Sequence, residues 1–251
     1  MLRAVLVALT FTLATAASVR AQDLDAKAIV GKAVEAHGGA ALLKKYAAAT
    51  SKGSGIIKID GKDIPATFEI AFEQPGKLRM TLGADFDAQK IVVVQIMNGD
   101  KFKGTTNGAA DKIGDVEKGE LKQAVVMQDL SMLYPLLGEK YTLTKDKDDK
   151  ADGKDCFVVV ATGKDLKPVR AYFDKGTGLL VKHIRKGMAR SSKGFVEVNE
   201  EATLSDFRKV EGVSVGHKMV VTHDGKPFMT ATMSEIKFLD KLDPKLFSVD
   251  D

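Results

Sequence analysis

From Ala49 onward the chain alternates, and that alternation limits the fold more than any other feature of the sequence. In "IPATFEIAFEQ", Ile64, Ala66, Phe68, Ile70 and Phe72 share one face and Thr67, Glu69 and Glu73 the other, a period of two. "KLRMTL" repeats the device with Leu78, Met80 and Leu82 inward and Lys77, Arg79 and Thr81 outward. "KIVVVQIMNGDKFKG" is apolar on both faces over Ile91 to Val94, as expected where something covers the sheet, and turns at Asn98-Gly99. Further strands follow at "YTLTK", "CFVVVAT", "PVRAYFD", "GLLVKHIRK", "GFVEVNEEATLSDF", "VSVGHKMVVTH" and "PFMTATMSEIKFL", joined by turn chemistry at "DKGTG", "KVEGV" and "HDGKP". About eleven closely spaced strands predict a mainly β protein with one antiparallel sheet wrapped toward a half-open barrel.

Two stretches break the alternation. "DLDAKAIVGKAVEAHGG" offers Asp23 or Asp25 as N-cap, helical apolar spacing at Ile29, Val30, Ala33 and Val34, and Gly38-Gly39 as a stop. His37 falls in its last turn, where a cation suits the carbonyl end. The segment 116–137 places Leu121, Val125, Leu130, Leu133 and Leu137 on one side of a second amphipathic helix. It reads either as core packed on the sheet or as a cover over a cavity inside the curve.

The N-terminus, "MLRAVLVALTFTLATAASVRAQD", has an early arginine, a short apolar run and small residues before Gln22, so residues 1–21 read as a cleaved signal peptide. The remainder, 22–251, is expected to be one exported, periplasmic domain with no stable membrane insertion. Loss of Arg3 and Arg20 leaves 36 basic against 34 acidic residues, which excludes an electrostatic footprint for nucleic acid. The lone Cys156 lies in an apolar strand and is expected to be a buried, inert thiol.

No cofactor or metal site is expected. His217 and His223 share strand parity but lie roughly 20 Å apart at strand rise. The acidic run 145–155 puts Lys150 and Val159 where a calcium loop needs oxygen ligands, and reads as a solvated hairpin tip. "GVSVGH", residues 212–217, spells the G-x-S-x-G of a serine hydrolase around Ser214. A nucleophile elbow needs a helix after the serine, and a triad needs an acid before the histidine. "HKMVVTHDG" supplies neither, so no enzyme is expected and a hydrolase through Ser214 ranks last.

The order of "AHGG", "GSGII", "FEIAFEQPGKLRM", "AYFDKGTGLLVKH", "LSDFRKVEGVSVGHKM" and "FLDKLDPKLFSVDD" resembles the LolA/LolB-like superfamily of outer-membrane lipoprotein-sorting proteins. The resemblance implies a half-open barrel whose concave face is covered by helices and holds acyl chains, and hence carriage of a lipid or lipidated protein. By that implication Phe68, Ile70, Phe72, Leu78, Met80 and Leu82, with Leu130 and Leu133 from the covering helix, would line the cavity. Where carriers of this group place a lid-bonding arginine before the proline, this chain has Gln74, the expected lid contact. The competing expectation is an envelope structural protein that uses the barrel as a docking platform for a protein partner.

Overall fold

The computed structural model describes residues 24–86, 89–164, 166–191 and 194–249. The expected signal peptide lies outside the described residues. Two helices, α1 (Ala26–His37) and α2 (Ala40–Lys45), come first. Asp25 is the N-cap of α1, its Oδ1 accepting the Ala28 N–H at 2.7 Å. Six strands follow: β1 (Ala48–Ile59), β2 (Lys62–Glu73), β3 (Lys77–Phe86), β4 (Gln89–Asn98), β5 (Lys101–Thr106) and β6 (Ala109–Asp111). After α3 (Asp115–Met132) and a 3-10 turn at Tyr134–Leu137 come β7 (Tyr141–Ala151), β8 (Lys154–Gly163), β9 (Leu166–Asp174), β10 (Leu180–Ser191), β11 (Gly194–Val210), β12 (Val213–His223) and β13 (Lys226–Leu239).

All thirteen strands form one antiparallel sheet in the order β6-β5-β4-β3-β2-β1-β13-β12-β11-β10-β9-β8-β7. The sheet is not closed, so the fold is a mainly β half-barrel. The sequence expectation of about eleven strands falls short for two reasons. Three-residue β6 is too short to alternate, and β1, with Gly53 and Gly55 in its middle, does not stand out as an alternating run. Each neighbour is the next strand in the chain except at one seam, where β1 lies against β13. A Cβ on Gly55 would sit 1.8 Å from the Thr230 carbonyl oxygen, so only glycine permits this approach.

Five tight turns pin the register with positive φ at both central residues: Asp60-Gly61, Asn107-Gly108, Asp152-Gly153, Glu211-Gly212 and Asp224-Gly225. A one-residue slip would turn every inner side chain outward. Because the two free edges are β6 and β7, the α3 that connects them in the chain spans the open side of the curve. The convex face of β2 to β4 is covered by the C-terminal segment: Phe247, fully buried, packs with Ala71 and Ile96, and Val94, Leu242 and Leu246 join them. That segment accounts for the two-sided apolarity of β4.

Candidate functional site

Strand pairing brings two rows together on the concave face. Phe102, Met97, Leu78, Phe72, Ala49 and Phe238 form one row, and Gln95, Met80, Ile70, Ser51 and Ile236 the next. Over the β2-β1-β13 part of these rows lies a cavity of about 260 Å³. Ile70, Phe72, Phe238 and Met233 wall it on one side, and Leu204, Phe207 and Met219 on the other. The last turns of two helices close it, with Gln128, Ser131 and Met132 from α3 and His37 from α1.

Polar contacts hold α3 in place at both ends. Near its start, Glu120 accepts from Arg185 Nη1 at 2.8 Å, and the same guanidinium donates Nε–H to Glu200 at 2.7 Å. Gln123 pairs with the Lys167 backbone through both its amide groups, each at 3.3 Å. Toward its end, the buried Asp129 carboxylate accepts from Gln74 Nε2 at 3.1 Å, Lys140 Nζ at 2.7 Å and Tyr141 Oη at 2.6 Å. Tyr134 Oη donates to Gln74 Oε1. Desolvation, then the bond to Asp129, push the Tyr141 phenol well above its ordinary value, so it stays a donor.

His37 is buried and neutral, not the exposed helix-end cation that its position suggests. Its Nε2 accepts the Leu180 N–H at 3.1 Å, so Nδ1 carries the proton and donates to the Ser214 carbonyl at 2.8 Å. Burial lowers its pKa, against a smaller opposing contribution from the bond to Ser214. The ring thereby ties α1 to β10 and β12 at the cavity floor.

The expected site residues separate into three groups. Ile70 and Phe72 line the cavity. Leu78 is fully buried beneath Leu121 of α3 with Met97, and Met80 packs against that cluster. Phe68 and Leu82 are half-buried on the same face farther along β2 and β3, outside the cavity lining. Leu130 and Leu133, at 1% and 0% exposure, belong to the core that α1 and α3 share. Gln74 does touch the covering helix, through Asp129.

The lining from β13 and the far end of α3 escaped sequence reasoning. The pairing of Ala48 with Leu239 joins the two ends of the chain, and nothing local announces it. Ser214 is the second residue of β12, and strand, not helix, follows it, so there is no nucleophile elbow. Cys156 is fully buried and desolvation raises its thiol pKa, as an inert thiol requires. Among the described residues, no three His, Cys, Asp or Glu side chains are placed to hold a metal ion. No helix among them is long and apolar enough to cross a membrane.

No protein-family profile matches the sequence, and neither does any curated protein. Solved structures do match. A LolA superfamily protein from Nitrosomonas europaea superposes with TM-score 0.58 at 11% identity, covering 90% of this chain and 98% of its own. A DUF1329 family protein from Desulfovibrio piger gives 0.56 at 16% identity, covering 89% and 97%. A domain from Vibrio parahaemolyticus, described as an outer membrane lipoprotein-sorting protein, gives 0.54 at 14%, covering 88% and 95%. The fold is LolA-like.

Proposed function

We propose that this protein is a non-enzymatic periplasmic carrier that holds one acyl chain or a similar apolar ligand on the concave face of its half-barrel. The observation that carries this reading is the apolar cavity beneath the end of α3, in a fold shared with a lipoprotein-sorting domain. At about 260 Å³ it falls just short of the roughly 300–1,000 Å³ usual for drug-sized ligands, which favours one chain over several. Each methylene moved out of water contributes about 0.8 kcal/mol. Ten of them give a gross gain of roughly 8 kcal/mol, reduced by the cost of association to a reversible affinity. A docking platform would instead want a filled interior and an exposed apolar patch. The periplasmic location rests on the signal-peptide reading of residues 1–21.

Native mass spectrometry and lipid extraction of protein purified from a periplasm test the proposal. The expected result is a co-purifying apolar molecule, displaced by a fluorescent acyl probe. Ser51→Phe, which fills the space between Ile70 and Ile236, should abolish probe binding while leaving the circular dichroism spectrum intact. Protein that is always empty and binds no probe sinks the idea.

A further inference from the structure

We propose that the cavity selects an uncharged single-chain amphiphile, such as a monoacylglycerol or long-chain alcohol, and rejects ionised lipids. The inference rests on the carrier reading and adds the chemistry of the ligand's head.

No lining residue carries a charge to pair with an ionised head. The one titratable lining group, His37, has both ring nitrogens engaged by Leu180 and Ser214. The nearest carboxylate on the covering helix, Asp129, points away to Gln74, Lys140 and Tyr141. Arg185, a cation on the concave face with its side chain 12% exposed, already holds Glu120 and Glu200, and two carboxylates on one guanidinium leave negative charge in excess. A fatty-acid carboxylate or a phosphate entering here would be desolvated without a partner.

The polar groups that the covering helix presents to the cavity suit a hydroxyl or ester instead. Gln128 is half-buried, and among the described residues no side-chain hydrogen bond occupies its carboxamide. The exposed Ser131 hydroxyl donates to the Met127 carbonyl at 2.9 Å and keeps its lone pairs for a donor from the ligand. Both stand in the last turns of α3, where the carbonyl end of the helix repels an anion and attracts a hydroxyl proton.

The test is displacement of a fluorescent acyl probe from the mature chain by 1-monooleoylglycerol and by oleate, below their aggregation concentrations and at about pH 8, where the carboxylate is ionised. The monoacylglycerol should compete at a concentration about tenfold or more lower than oleate. Gln128→Lys should reverse the order by supplying the missing cation. Oleate competing as well as or better than the monoacylglycerol in the native chain overturns the head-group assignment and leaves the carrier reading standing. If the probe never binds, both fall together.

Discussion

The two halves of the concave face obey one alternation rule and end in opposite states. On β8 and β9, Val159, Val169, Ala171 and Phe173 are each 1% exposed, packed into one core with Ile29, Val30, Ala33 and Val34 of α1 and with Val126 and Leu130 of α3. On β1, β2 and β13, Ala49, Ser51, Ile70 and Phe238 face in just as regularly, yet surround open space. The alternation of the strands does not make the difference. α1 presents an unbroken apolar stripe, whereas the final turns of α3 present Gln128 and Ser131, and the strands beneath them offer small residues at Ala49 and Ser51. A cavity forms where the cover is polar and the floor is small.

Truncation should separate the halves most sharply. Phe173→Ala removes a ring from a fully packed site and is expected to cost about 3–5 kcal/mol. Phe72→Ala deletes the same ring beside existing space, where fewer contacts are lost, and should cost no more than about half as much. Urea denaturation midpoints of the two variants measure this, and equal losses would mean that the cavity half is packed as tightly as the other.

How much of this was legible follows from the same contrast. Alternation gave the inner face of β2 and β3, and the X-Gly pairs marked the turns, because both are local. The 3.6 spacing of α1 and α3 gave covering helices. Which of Ile70, Phe72, Leu78 and Leu130 would meet space was not legible, since it depends on where two helices land on a sheet whose two halves are joined by the pairing of Ala48 with Leu239. Gln74 could be singled out only because the proline phrase resembles that of the lipoprotein-sorting proteins. Its bond to Asp129, 55 residues on, is a product of the fold. The cover over Ile91 to Val94 could be inferred, but not that the chain's own C-terminus supplies it.

Acid should strain the concave face through its buried imidazoles. His183 faces inward between Ala171 and Ala202, and burial, opposed by Glu200 and reinforced by Arg185, lowers its pKa from 6.5 to about 4. His37 is lowered as well. Both groups therefore take up protons more readily unfolded than folded. The His183 contribution is complete above about pH 6.5 and is lost as pH falls toward 4, by up to about 1.4 kcal/mol per pH unit, and His37 adds a loss in the same direction. A thermal-denaturation series from neutral to acid pH should show this decline. His183→Phe should flatten it at little cost, since the buried Nδ1 has no hydrogen-bond partner among the described residues. An unchanged slope would place the acid sensitivity elsewhere.

The smallest expected effect belongs to the residue whose motif invites the largest. Ser214 sits inside G-x-S-x-G and borders the cavity, within reach of a histidine, so a hydrolase reading has some geometric appeal. The bond between them runs the wrong way for chemistry, because His37 Nδ1 donates to the Ser214 backbone carbonyl and its Nε2 is engaged by the Leu180 N–H. No lone pair remains on the ring to take a proton from the serine hydroxyl. Ser214→Ala keeps the carbonyl, so folding midpoint and probe affinity should both match the native chain within experimental error. His37→Ala, by contrast, loosens α1 from β10 and β12 and should lower stability by about 2 kcal/mol or more. A fluorophosphonate that labelled Ser214 would show a nucleophile that this hydrogen-bond pattern forbids, and would reopen the cavity as an active site.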